Sequence, residues 1–172
     1  MSALDSQPSN YNFLSSTGFT FFVKKLPTTN FFTESVNIPG KRITLAQQST
    51  PFININVNGN KMVYNDLTVT FIVDEDLENY LEISNWLDGL GGPESYAQRA
   101  ELISKNWKGE GKESDCIINI LTNTKNPNVR VTILDAFPTS LSDFVLSSTQ
   151  TSEEHVVATA TFKYKNIKIE RV

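Results

Sequence analysis

An apolar period of two residues runs through most of this chain and gives way to another period only once. Val156, Ala158, Ala160, Phe162 and Tyr164 share one parity, and Thr159 and Thr161 the other. Side chains of a strand alternate between its faces, so this pattern describes a strand with one face buried and one face wet. Phe19–Leu26, Phe31–Ile38, Pro51–Val57, Met62–Tyr64, Leu67–Val73, Asp115–Leu121, Val129–Asp135 and Leu141–Leu146 read as further strands. Pro27, Pro39–Gly40 and Phe137–Pro138 close segments, because proline cannot donate to a ladder. Asn58–Gly59 is the pair a type I′ hairpin turn prefers, since both central positions need positive φ. After Asn166 the apolar parity passes to Ile167 and Ile169, which predicts a bulge or bend.

The exception is Glu75–Leu90. Leu77, Tyr80, Leu81, Ser84 and Leu87 recur there at helical spacing, and Ile83 and Trp86 widen the stripe. Asp74 suits the N-cap, and Glu75, Asp76 and Glu78 complement the positive end of the helix dipole. Gly89, Gly91, Gly92 and Pro93 stop the helix, Glu94–Lys105 reads as a weaker second one, and Asn106–Ser114 as a polar loop. The expected fold class is α+β, mainly β: an antiparallel β-barrel or sandwich with one amphipathic helix packed on its outside. Residues 1–12 are polar and read as a flexible N-terminal arm; 13–172 read as a single domain.

Charge and rare residues narrow the function. A net charge of −4 argues against a general nucleic-acid binder. The acid is concentrated: residues 74–101 hold eight carboxylates against one Arg, a local −7 that leaves +3 for the remainder. One Cys and one His can build neither an intrachain disulfide nor a Cys/His zinc site. No apolar run is long enough for a transmembrane helix, and MSALDSQPSN lacks the basic and apolar regions of a signal peptide. The reading therefore includes no membrane partner, no metal and no cofactor.

Each candidate for chemistry has a plainer account. His155, beside Glu153 and Glu154, reads as a surface histidine at a strand end rather than a general base. Cys116 lies in an apolar strand and reads as core filling. Asp74-Glu75-Asp76 looks like a metal motif but sits where a helix should begin. The glycines of 89–92 follow a helix, so they cap it rather than cradle phosphate. Asn54, Asn56, Asn58 and Asn60 could bind sugar, but they alternate with Ile and Val as a wet strand face does. The phenylalanines at 19, 21, 22, 31 and 32 read as core rather than as base-stacking platforms. The absence of a catalytic constellation points to binding or assembly.

The order of segments is similar to the tail-tube protein family of T4-like contractile-tailed bacteriophages, whose fold also serves the type VI secretion tube. The resemblance rests on GFTFFVKKLPTTNFFTESVNIPG, on MVYNDLTVTFIVDEDLENYLEISNWLDGL, and most specifically on the closing stretch from Val129. That stretch carries Phe137, Pro138, Thr139, Ser140 and Leu141, then the aromatic pair Phe162 and Tyr164. The resemblance implies a structural virion protein, not an enzyme, in hexameric rings that stack into the inner tube of a contractile tail. It implies sheath, baseplate and tail-terminator partners, assembly in the host cytoplasm, and genomic DNA passing the lumen without specific binding. The stretch Asn37–Phe52, beginning Asn37, Ile38, Pro39, Gly40, Lys41 and Arg42, would carry ring stacking. The acidic helix, through Glu75, Asp76, Glu78 and Glu82, would face outward to the sheath. Tube-initiator or other baseplate rings of the same fold are the alternative. A monomeric carbohydrate-binding β domain and a small hydrolase using His155 are readings of other classes.

Overall fold

The computed structural model describes residues 7, 11–92, 95–103, 111–149 and 155–172. Apart from Gln7, Tyr11 and Asn12, the expected N-terminal arm lies outside the described residues, as do 106–110 of the expected polar loop and 94, 104 and 105 of the expected second helix. Nine strands and three helices follow in order: β1 (Phe19–Val23), α1 (Pro27–Phe31), β2 (Thr33–Val36), β3 (Lys41–Ser49), β4 (Asn54–Tyr64), β5 (Leu67–Ile72), α2 (Glu78–Gly91), α3 (Tyr96–Ile103), β6 (Ser114–Leu121), β7 (Pro127–Leu141), β8 (Val157–Lys163) and β9 (Asn166–Arg171). All pairings are antiparallel. Among the described residues seven strands form one sheet: six follow the path β1-β6-β7-β8-β5-β2, β9 joins off it on β7, and β3 and β4 form a separate hairpin.

Strand β7 makes that path two-layered. Its first half pairs with β6 and β9, and its second half pairs with β8. Between the halves Asp135 takes a left-handed backbone (φ 54°), a conformation Asp tolerates better than most residues. The Asp115 carboxylate accepts the Asp135 backbone N–H at 3.0 Å, beside an irregularity in the β6–β7 register. The inward parity then changes from Val131 and Ile133 to Ala136 and Pro138. The partner ribbon does the same, from Ala158, Ala160 and Phe162 on β8 to Ile167 on β9. This is the bend that the parity change after Asn166 predicts. The result is two sheets facing each other without closing into a barrel, so the sandwich form of the expected architecture is the one realised.

Phe21, Val23, Leu67, Val69, Phe71, Ile118, Val131, Ile133 and Phe162 fill the space between the sheets. Helix α2 adds Ile83 and Trp86, with the Trp86 and Phe162 rings 6.1 Å apart. Lys25 is fully buried, with its ammonium 4.9 Å above the Trp86 ring and donating to the Gly111 carbonyl. Trp86 Nε1 donates to the Lys112 carbonyl at 2.9 Å, so the helix is fastened to the approach to β6.

Several expectations are corrected. Asn58–Gly59 is not a turn: both residues lie inside β4. A Cβ on Gly59 would stand 2.4 Å from the Thr44 carbonyl oxygen, so the glycine permits a close approach of β3 at a register irregularity. The hairpin reverses instead at Thr50–Ile53, where Thr50 N–H donates to the Ile53 carbonyl at 3.0 Å. Pro27 opens a short helix rather than only ending β1, as suits its fixed φ. Phe137–Pro138 does not end β7, which runs to Leu141 as a single strand. Pro138 is tolerated because this half of β7 is an edge strand, paired with β8 alone. The strand expected over Leu141–Leu146 does not form beyond Leu141. Helix α2 starts at Glu78 rather than Glu75, after Leu77 in a left-handed conformation (φ 58°). Asp74 still serves the helix start, accepting the backbone N–H groups of Glu78 and Asn79, each at 3.1 Å. Leu77 and Leu81 are exposed, and the buried side of α2 runs through Asn79, Ile83, Trp86 and Gly89.

Replacing Phe162, buried where both sheets and α2 meet, should remove core contacts and leave a cavity. Phe162→Ala is expected to lower unfolding stability by about 3–5 kcal/mol, read as a shifted midpoint in denaturant titration by circular dichroism.

Candidate assembly surfaces

The β3–β4 hairpin is the feature least explained by the chain's own core. Its strands pair only with each other. It is held to the body at its root. There Asn65 N–H donates to the Gly40 carbonyl at 3.0 Å, Tyr64 Oη to Asn166 Oδ1 at 3.1 Å, and Lys41 Nζ to the Ile167 carbonyl at 3.4 Å. The register places Ala46 and Gln48 with Val57 and Ile55 on one face, and Leu45, Gln47 and Ser49 with Asn58, Asn56 and Asn54 on the other. Both faces are bare: Leu45 is 68% exposed, Ile53 67% and Phe52 94%. No residue from Ile43 to Asn60 carries a charge. Proteins usually guard a free edge with charged side chains. A hairpin that is uncharged over this span and bears Ile and Val on an open face has the character of an interaction surface.

The residues expected to begin the stacking segment separate into root and strand. Asn37 is an anchor: its side chain accepts the Thr68 N–H at 2.6 Å and donates to the Asp66 carbonyl at 3.0 Å. Pro39 is buried, Gly40 is exposed, and Ile38 is 46% exposed. Lys41 and Arg42 open β3 at the surface. The projecting unit is thus 41–64, longer than the expected 37–52. Its first strand, β3, was not expected at all, because Lys41–Ser49 lacks a clear apolar alternation, and its second was split in two at Asn58–Gly59.

Several sheet edges are also open, those of β1 and β2 beside a cavity among them. Among the described residues β1 pairs only with β6, and β2 only with β5. Between these edges lies a cavity of about 810 Å³, lined by Phe19, Phe21, Phe31, Val36, Ile118 and Ile120 among others. Phe31, expected in the core, is 85% exposed.

The acidic surface is divided. Glu75 and Asp76 are exposed in the turn before α2, and Glu78 is exposed in its first turn. Glu82 is half-buried. Leu81, at 50% exposure, gives this face an apolar element.

Nothing in these surfaces assembles into reaction chemistry. His155 is exposed just before β8. Cys116 is fully buried, and burial with the neighbouring Asp115 carboxylate drives its thiol far above the ordinary range. A buried neutral thiol is a poor nucleophile. No group of three or more His, Cys, Asp or Glu among the described residues could hold a metal ion. No helix among them is long and apolar enough to cross a membrane.

Open sheet edges and a largely uncovered hairpin on a two-sheet body, with no metal-binding cluster among the described residues, suit a structural protein. The comparisons give the family. A family model described as phage tail tube protein matches residues 6–170, and the chain belongs to that family. It is a structural component of the virion tail and not an enzyme. The tail tube terminator protein of Enterobacteria phage T4 is 28% identical over 168 residues, covering 94% of this chain and 91% of that protein. The tube-terminating cap of the anti-feeding prophage superposes with a TM-score of 0.68 at 14% identity, over 100% of both chains. A chain of an extracellular contractile injection system sheath–tube complex superposes with a TM-score of 0.64 at 13% identity, over 95% of both chains. These two likenesses establish the shared fold.

Proposed function

We propose that this chain forms a homo-hexameric ring that terminates the tail tube of a contractile phage tail. The observation that carries the reading is the 28% identity to a tail tube terminator across nearly the whole of both chains. The repeating tube subunit, expected first from the sequence, is the second reading, favoured by the family as a whole. Both readings use the same physics. Subunits contacting through unlike surfaces close into a ring in one direction and stack in the other. The β3–β4 hairpin and its root, Asn37–Arg42, supply the contact between copies. The exposed carboxylates Glu75, Asp76 and Glu78, with Glu82 behind them, offer an acidic face to the sheath or a baseplate protein. Genomic DNA passes through the ring without specific binding.

Size exclusion and negative-stain microscopy of the purified protein separate these readings. A terminating ring is expected to give discrete rings that do not elongate, and to add to the ends of preformed tubes. Long tubes formed by this chain alone would return it to the repeating subunit, and a monomer at every concentration would remove the ring. The double variant Ile55→Glu/Val57→Glu should abolish assembly while changing subunit stability by only about 0.5 kcal/mol, as at other exposed positions. Rings that persist in this variant would exclude the hairpin as the contact. Glu78→Lys rings should form normally and co-sediment less with sheath; undiminished co-sedimentation would remove the acidic face from that contact.

A further inference from the structure

Where β8 passes into β9, four of five consecutive residues grip the root of the β3–β4 hairpin. The Lys163 ammonium pairs with the Asp66 carboxylate. Tyr164 Oη donates to the Asn65 carbonyl at 2.9 Å. Asn166 Oδ1 accepts the Tyr64 O–H at 3.1 Å and the Ile167 N–H at 2.8 Å. The Ile167 carbonyl accepts from Lys41 Nζ at 3.4 Å. The fifth residue, Lys165, reaches the other way, to Glu113 and Asp135 at the corner of β7. One short turn thus holds the start of β3, the end of β4 and the link to β5. The two ends of the hairpin are also tied to each other. Asn65 N–H donates to the Gly40 carbonyl, and Asn37 Nδ2 to the Asp66 carbonyl, each at 3.0 Å. The Tyr64 and Tyr164 rings stand 5.7 Å apart and pack, half-buried, against the core. Burial first, then the neighbouring Tyr64 and Asp66, raises the pKa of the Tyr164 phenol, so its hydroxyl keeps the proton it donates.

We propose that this corner aims the hairpin, and that Tyr64, Tyr164 and Asn166 are positioning residues for the contact between copies. The geometry stands by itself; its consequence rests on the ring reading above. β3 and β4 pair only with each other and both faces of the ribbon are exposed, so its direction is set at the root. A two-stranded ribbon is at best marginally stable alone. β3 has nine residues, about 30 Å at the usual strand rise. A swing of about 10° at the root therefore carries the tip by about 5 Å, one spacing between strands. Such an error changes which residues of two copies meet. An arm already aimed also loses less freedom when it docks, which strengthens association without adding a contact. The exposed Lys163–Asp66 pair contributes little. The neutral hydrogen bonds of the two tyrosines and Asn166, beside their packed rings, carry the clasp.

A distance measurement within one subunit tests the aim apart from assembly. In the Ile55→Glu/Val57→Glu chain, Gln48→Cys near the hairpin tip and Glu170→Cys on β9 take spin labels, while buried Cys116 stays silent. Electron–electron double resonance, with the labelled chain diluted in unlabelled chain, should give one narrow distance. Tyr64→Phe/Tyr164→Phe and Asn166→Leu should each at least double its width. Asn166→Asp, which keeps the acceptor, should hold it narrow. Ile133→Val trims the core without touching the clasp and should also leave it narrow. With the native hairpin, the two loosening variants should need about tenfold more protein than the parent to form rings. Unchanged widths in both would overturn the proposal, as would rings forming at the parent's concentration. If the parent itself forms no ring, the ring reading and the assembly role fall together, and the width alone decides whether the corner aims the hairpin.

Discussion

The architecture depends on one strand serving two sheets. β7 turns at Asp135, where a left-handed residue and an irregular register exchange its inward and outward faces. The turn is held from several sides. The Asp115 carboxylate takes the Asp135 amide, Lys165 N–H donates to the Leu134 carbonyl at 3.1 Å, and Lys165 Nζ lies 2.6 Å from Glu113 and 3.3 Å from Asp135. The Glu113 carboxylate in particular favours the charged form of Lys165. The ribbon of β8 and β9 bends with β7 and keeps its register across the corner. Had only one of the two changed parity, half the buried side chains of the other would have faced water.

That corner fixes what is left open. Because the path turns back on itself after β7, β1 and β2 come to flank one cavity without pairing. A single chain that closed its sheet would have no edge to offer. This chain buries a compact core, from Phe21 to Ile167, and leaves the β1 and β2 edges and most of the β3–β4 hairpin uncovered by its own described residues. Core and contact surface are thus separate in space, so a charge placed on the hairpin need not disturb the sandwich.

Much of the fold was legible because alternation records which face is buried. Val156–Tyr164 and Leu67–Val73 announced β8 and β5, the parity change near Asn166 announced the corner, and Trp86 lay on the expected helix. What was not legible depends on tertiary neighbours. Asn58–Gly59 has the composition of a turn, but Thr44 occupies the space a side chain would need. Pro138 looked like a terminator, yet the outer edge of β7 asks for no donor there. Ile53, Ile55 and Val57 alternate as core residues do, and nothing local distinguishes a face buried in its own chain from one left open. Leu81 on α2 was misread for the same reason. The family was legible from segment order; the long hairpin was not, because Lys41–Ser49 has no clear alternation and Asn58–Gly59 divided its partner strand.

The same reasoning explains why terminator and tube subunit are hard to separate by sequence. On the proposed reading both keep the same fold, which the superpositions at 13–14% identity support, so the residues that specify the fold are common property. Growth or its arrest depends on whether the two ends of a ring remain complementary, since a heterologous contact propagates wherever they do. A few exposed side chains can abolish one end's fit without touching a buried residue. In this chain one such uncovered surface is the hairpin, uncharged from Ile43 to Asn60 and exposed along both faces. A chain can therefore hold only 28% identity to a relative over nearly its full length and keep the family's body. On the proposed ring reading, the residues that decide between extending a tube and ending it belong to the surface that the subunit alone leaves uncovered.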